Sequence, residues 1–167
     1  MSEQTNISAV GIMGVESVVR GRAARIYFTY PDGKRYYMGN FISFEAKVDH
    51  KKTKLNILYD FQGRGNVKGA PTNTITGSRY FNNSIHRKYL LEYAKNGKDL
   101  YYTITVINDD PSSNVGKQSI ILTGCNDDST VLAKFDADTE YLIEDFNATF
   151  EGWNMDDFFN DNAIANA

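Results

Sequence analysis

The chain has 167 residues, 41% of them hydrophobic, and a net charge of −3. That is one domain's worth of material, long enough to bury a core without cross-links. The lone cysteine, Cys125, excludes an internal disulfide, and no stretch approaches the ~20 apolar residues of a membrane span. Met-Ser-Glu-Gln at the start lacks the basic region of a secretory signal, so a cytoplasmic protein is expected. The small net charge hides an asymmetry: residues 1–98 hold 16 Lys and Arg against 7 Asp and Glu, a balance of +9, and residues 99–167 hold 2 against 14, a balance of −12. Such a split suits copies that meet head to tail, unless folding interleaves the halves and cancels it.

Residues 1–20 show weak periodicity and read as an N-terminal arm, residues 21–153 as a β-rich domain, and residues 154–167 as an acidic C-terminal tail. Two β-prone runs, 25–30 and 35–38, flank Pro31-Asp32-Gly33, a tripeptide with turn chemistry, and predict a hairpin. Over 41–49 the alternation is clean. Ile42, Phe44, Ala46 and Val48 share one face, and Ser43, Glu45, Lys47 and Asp49 the other, as in a half-buried strand. A second strand is predicted over 54–60, a glycine-rich loop over 61–71, and a polar strand over 72–81 with Thr72, Thr74, Thr76 and Ser78 at alternate positions.

Ile85, Tyr89 and Tyr93, spaced four apart, predict an amphipathic helix within 82–96, capped by Ser84 or a preceding asparagine and ended by Asn96-Gly97. Strands follow over 100–108, 117–123 and 130–135, separated by turn clusters at 109–116 and 124–128. A last alternating run over 143–151 sets Phe146, Ala148 and Phe150 against Asp145, Asn147, Thr149 and Glu151. The sum is about eight short strands and one helix, a mainly β chain of the sandwich or open-barrel class.

The ingredients of catalysis do not converge. Cys125 sits among neutral and acidic neighbours that disfavour a thiolate, and reads as a small apolar side chain at a strand end. His50 and His86 lack metal-ligand spacing and are expected to be exposed. Gly63-Arg-Gly-Asn-Val-Lys-Gly69 is one residue too long for a dinucleotide fingerprint and precedes a strand, not a helix. Asp136-Ala-Asp138-Thr-Glu140 lacks the glycine of a calcium loop, since Tyr141 stands in that place. Asp109-Asp110 and Asp127-Asp128 lie in turn clusters, where aspartate serves the backbone. No catalytic, cofactor or metal site is expected, and the chain is not expected to be an enzyme.

The order of elements resembles the tail tube proteins of contractile phages, defective prophages and phage-tail-like bacteriocins of Gram-positive bacteria. Phe44-Glu45-Ala46-Lys47-Val48 looks like the family's first long inner strand and Lys54-Leu55-Asn56-Ile57 like its hairpin partner. Lys68-Gly69 through Thr76-Gly77 looks like the polar return strand, Tyr93-Ala94-Lys95-Asn96-Gly97 like the end of the one helix, and Asn108-Asp109-Asp110-Pro111 like the turn after the next strand. Phe150-Glu151 closes a series that spans residues 39–151; the first forty residues match poorly.

The resemblance implies two packed antiparallel sheets with a flanking helix. It implies hexameric rings of identical subunits, stacked head to tail into a hollow tube inside a contractile tail, for genome delivery or membrane puncture. Sheath, baseplate and tail terminator proteins would be partners, DNA a transient cargo of the lumen, and no membrane or cofactor would be bound. The tube would reside in the virion tail and be assembled in the bacterial host cytoplasm. On that reading Ser43, Glu45, Lys47, Asp49, Asp145, Asn147, Thr149 and Glu151 form the lumen face, polar and on balance acidic. Lys51, Lys52, Lys54, Arg64 and Lys68 belong to a mobile ring-stacking loop over 51–71. The competing readings are a monomeric ligand-binding β-barrel, which wants an apolar interior pocket, and a nucleic-acid module on the basic half, against which the acidic half argues.

Overall fold

A computed structural model describes residues 15–160. The elements in chain order are a short 3-10 turn Val15–Ser17, β1 Ala24–Thr29, β2 Arg35–Tyr37, β3 Phe41–Lys54, β4 Asn66–Tyr80, α1 Ile85–Lys95, β5 Tyr102–Asp109, β6 Lys117–Asp127, β7 Ile143–Thr149 and β8 Gly152–Asp157. Among the described residues the chain is mainly β with a single helix, the expected class, and the eight strands join one antiparallel sheet. They fall into two compact units. The two groups of strands share β6, whose residues up to Leu122 belong to the first unit and from Thr123 to the second.

In the first unit the strand order is β2-β1-β5-β6, with β8 also on β6. The predicted hairpin is present: Thr29 pairs with Arg35, Gly33 takes φ +84, and the Asp32 carboxylate accepts the Lys34 amide at 3.0 Å. Alternation along β1 buries Ile26 and Phe28, which join Tyr30, Met38, Ile104 and Leu122 in the core. Residues 15–20 are built into this unit. The Asn114 amide donates to the Glu16 carbonyl at 2.9 Å, and the Ser17 hydroxyl to Asn114 Oδ1 at 3.1 Å. Arg20 clamps Asp110 with Nη2 on Oδ1 at 2.7 Å, Nε on Oδ2 at 3.0 Å, and its own amide on Oδ2 at 2.8 Å. The amide of Ser112 adds a fourth donor at 2.9 Å. The side-chain bonds from Arg20 lead, and with these backbone bonds they hold the Asp110 carboxyl well below the usual carboxylate range, against a smaller opposing effect of burial.

In the second unit the order is β6-β7-β4-β3, with α1 between β4 and β5 in the chain. Ile75, Phe146, Ala148, Phe150 and the fully buried Cys125 supply the apolar core. Three charges are buried with them. Arg79 and Glu144 stand directly opposite each other on β4 and β7, and Arg79 Nε meets Glu144 Oε1 at 2.7 Å. Arg87 of α1 reaches the same oxygen with Nη2 at 2.5 Å and gives further bonds to the carbonyls of Val131 and Asn83. Its guanidinium lies 4.1 Å from the centre of the Phe81 ring. The helix starts where the Asn83 carboxamide accepts the Ile85 amide at 2.9 Å, and ends at Asn96 with Gly97 at φ +67.

Several sequence expectations are corrected. Residues 55–60 are not a strand, and the partner of β3 is β4, which begins at Asn66 inside the predicted loop. β6 runs on through the predicted turn at 124–128, because Gly124 adopts φ +65 within the strand. Residues 130–135 are irregular, and β8 runs from the end of the expected β domain into residues 154–157 of the expected tail. His86 is buried, not exposed. Its Nε2 lies 2.7 Å from Asp127 Oδ2, and its ring packs edge-on against Tyr102 at 4.9 Å. The helix buries His86 and Arg87 rather than a purely apolar stripe, because the sheet offers carboxylates that satisfy them. His50 is exposed as expected, but within β3. The expected arm at 1–14 and the tail beyond 160 lie outside the described residues.

The charge halves are partly interleaved. Arg20, Arg25, Arg79 and Arg87 of the basic half pair with Asp110, Asp109 and Glu144 of the acidic half. Removing Glu144 would leave two arginines without their shared carboxylate. Glu144→Gln is therefore expected to lower unfolding free energy by about 3–5 kcal/mol in urea titrations. Asp110 has a folded-state pKa lowered from its ordinary value near 4. Its contribution is complete above that value and drains away as pH falls below it towards the folded pKa. Asp110→Asn should be less stable at pH 7 and should lose less additional stability between pH 4 and 2 than the unaltered chain, as measured by urea midpoints.

Candidate assembly surface

Three strands of the second unit align their polar positions. Ser43, Glu45, Lys47 and Asp49 of β3 stand opposite Ser78, Thr76, Thr74 and Thr72 of β4. Ser78, Thr76 and Thr74 in turn stand opposite Asp145, Asn147 and Thr149 of β7. Directly opposed residues share a face, so period two carries one continuous polar ladder across three strands. The Ser43 and Ser78 hydroxyls lie 2.9 Å apart, and Lys47 pairs with Asp49 along its own strand at 3.6 Å. Charge on this face is Glu45, Asp49 and Asp145 against Lys47. The alternate positions, Phe44, Ile75, Phe146 and Ala148, face the other way, and the last three are buried.

Gly77 fits the tight centre of this array. It stands between Phe44 and Phe146, and a Cβ there would come within 2.5 Å of the Ser43 carbonyl oxygen. The structure thus brings together all the expected lumen residues except Glu151. That residue follows the end of β7, and its amide donates to the Thr123 carbonyl at 3.0 Å.

The expected stacking residues lie elsewhere on the same two strands. β7 pairs with β4 only from Thr74 to Tyr80. Beyond that edge β3 and β4 pair with each other, forming a two-stranded arm that runs from Asp49 and Thr72 to Lys54 and Asn66. Lys51 sits at a bulge, Lys52 stands directly opposite Lys68, and Lys54 closes the ladder against Asn66. The tip, residues 55–65, has its own hydrogen bonds. Leu55 donates to the Gly65 carbonyl at 2.8 Å, and Asp60 accepts the amides of Gln62 and Arg64 at 3.1 and 2.6 Å. Gly63 and Gly65 take positive φ, as does Tyr59 at +66. Leu58, Tyr59 and Phe61 are 97%, 92% and 88% exposed, and the two rings meet edge-on at 5.4 Å. An exposed apolar cluster of this kind is a hallmark of a binding surface.

Comparison with known proteins gives this surface its context. The family model described as phage tail tube protein matches residues 12–157. The phage-like element PBSX protein XkdM of Bacillus subtilis (strain 168) is 30% identical over 146 residues, covering 87% of this chain and 95% of that protein. Among solved structures, a chain of the anti-feeding prophage baseplate aligns with a TM-score of 0.62 at 9% identity, covering 86% of this chain and 97% of that one. The SPP1 tail tube aligns with a TM-score of 0.59 at 12% identity, covering 90% and 87%. A chain from the sheath/tube terminator of an extracellular contractile injection system aligns with a TM-score of 0.56 at 10% identity, covering 86% and 100%. At such identities the structural likeness speaks to fold alone, whereas the family match spans most of the sequence. The chain belongs to the phage tail tube protein family and is a structural component of a phage-like tail.

Proposed function

We propose that copies of this chain form rings of six that stack head to tail into a hollow tube, with the β3–β4–β7 polar ladder lining the lumen. The observation that carries this reading is the ladder itself: three strands hold their polar side chains on one face in unbroken register, while on the other face Ile75 of β4 and Phe146 and Ala148 of β7 are buried and Phe44 and Val48 of β3 are half-buried. A monomer has little use for so long a polar wall, but a pipe that conducts a charged polymer needs one. With three carboxylates against Lys47, the wall repels phosphate, so DNA in transit finds few cationic contacts on which to stall.

The hairpin arm serves as the ring-stacking element. Its lysines and Arg64 meet acidic groups of the next ring, each exposed pair contributing about 0–1 kcal/mol, and the tip residues Leu58, Tyr59 and Phe61 add apolar burial. Weak contacts of this sort leave single subunits soluble and become effective when a ring presents many at once. The subunit itself carries out no chemistry. The resemblance of the sequence to tail tube proteins of contractile phages is the support for a place inside a contractile tail, with sheath, baseplate and terminator as partners and with assembly in the host cytoplasm.

Negative-stain micrographs of the concentrated full-length protein should show rings or tubes with a central channel, and averaged density should put Glu45 and Asp145 on the inner wall. Monomers without assemblies would reject the tube, and carboxylates on the outer wall would reject the lumen assignment. In formed tubes, Glu45→Lys with Asp145→Lys should make DNA bind at low salt and release as salt rises, read by cosedimentation. Replacing residues 55–65 by a two-residue Asn-Gly turn should give a folded monomer, by circular dichroism, that no longer polymerises. Normal tubes from that variant would remove the hairpin from the stacking contact.

A further inference from the structure

Between β6 and β7 the chain runs through residues 128–142 without regular structure. Connections of this length inside a compact unit are uncommon and tend to have a use. This one is held in place. The Asp128 amide donates to the Asn147 carbonyl at 3.0 Å, buried Arg87 donates Nε to the Val131 carbonyl at 2.7 Å, and the Lys134 ammonium reaches the Ile143 carbonyl. At its far end the Phe81 amide donates to the Leu142 carbonyl at 2.9 Å, and the Tyr141 ring lies edge-on to Tyr80. Despite these anchors the strap exposes large apolar side chains: Leu132 at 62%, Phe135 at 88% and Tyr141 at 63%.

Its charge is as distinctive as its exposure. Asp128, Asp136, Asp138 and Glu140 outweigh Lys134, a balance of −3. The hairpin arm has the opposite character. Residues 51–68 carry five cations against Asp60, a balance of +4, and expose Leu58, Tyr59 and Phe61 at the tip. Lys52 and Lys68 face each other directly, and like charges opposed across a ladder destabilise it unless a counter-charge is near. Among the described residues, no ion pair engages Lys51, Lys52, Lys54 or Lys68, and none engages Asp136, Asp138 or Glu140. One surface carries an excess of cations and the other an excess of anions, and each exposes aromatic side chains beside its charges.

We infer that the strap of one copy is the socket for the hairpin tip of another. Phe135 and its apolar neighbours receive Leu58, Tyr59 and Phe61, while Asp136, Asp138 and Glu140 meet the arm's lysines. The contact is heterologous, since tip and socket are different surfaces, so it propagates along a stack instead of closing a pair. The charges set the partner and the encounter, and the aromatic side chains supply the desolvated centre. This inference rests on the tube reading above and adds to it the surface that the hairpin grips.

The test uses two full-length chains of opposite design. One carries Asp136→Lys, Asp138→Lys and Glu140→Lys; the other carries Lys51→Glu, Lys52→Glu and Lys68→Glu. Each alone should remain monomeric in sedimentation and micrographs, because tip and socket then have the same sign. An equimolar mixture should form tubes containing both chains in equal amounts, because each reversed surface finds its complement. Unaltered protein that forms no tubes would reject the tube reading, and the socket with it. Tubes from the unaltered protein, together with tubes from the strap-reversed chain alone or none from the mixture, would reject the socket only and point the hairpin towards another protein or a lipid surface. Should a reversed chain fail to fold, a photoreactive phenylalanine analogue at Phe135 in otherwise unaltered tubes decides the matter. Cross-links to residues 55–65 of an isotopically distinct copy support the socket, and cross-links elsewhere overturn it.

Discussion

Shifting a strand's pairing by one residue turns every side chain to the opposite face, and β4, which lies between β3 and β7, is where this chain is most exposed to that failure. Its pairing is fixed by features that do not tolerate a slip. Arg79 must meet Glu144, because both are buried and the carboxylate is shared with Arg87. Gly77 must pass the Ser43 carbonyl, where a side chain has no room. Ile75 must face the core beside Ala148 and Phe146. With those three positions set, the Thr and Ser positions of β4 can only fall in line with the polar residues of β3 and β7. The exposed ladder thus follows from contacts made on the far side of the sheet.

Charge is used in two different ways. Inside each unit, a buried carboxylate is held by arginine. Arg20 and Asp110 bind the segment before β1 to the turn after β5, and Arg87 and Glu144 bind the helix to β7. Such groups act as geometric fasteners, since a buried charge that loses its partner is far more costly than an exposed one. On the hairpin arm and on the strap, charges remain in water, where they cost little until a partner arrives. The +9 and −12 halves of the sequence divide along this line: four basic-half arginines are spent on internal fastening, and the hairpin lysines are not.

The sequence shows most clearly what depends on period and turn chemistry. Pro31-Asp32-Gly33, Asn96-Gly97 and the alternation over 43–49 and 143–149 each correspond to an element in the expected place. What it conceals depends on pairing. The apolar run over 54–60 has strand-like composition, yet it forms the hairpin tip, because fourteen residues of β3 match fifteen of β4 and leave 55–65 to turn. Four alternate Thr and Ser residues in β4, set against four alternate polar residues in β3, were the signal that those strands are partners. His86 was misplaced for a related reason: its burial follows from Asp127, 41 positions away in the chain. That Ser43, Glu45, Lys47, Asp49, Asp145, Asn147 and Thr149 share one polar face is legible through parity, and the strap is not, since irregular chain has no period to read.

Cys125 has no accessible surface at all, and it is the one thiol in the chain. A thiol so enclosed is shielded from reagents in solution. The protein therefore comes with a chemically blank exterior as far as sulfur is concerned. A cysteine introduced at any exposed position, on the tip, on the strap or along the polar wall, would be the sole site to react with a maleimide dye, a gold particle or a spin label. In an assembled tube that single handle would repeat at every subunit, giving a periodic array of chosen groups without any change to the native sulfur.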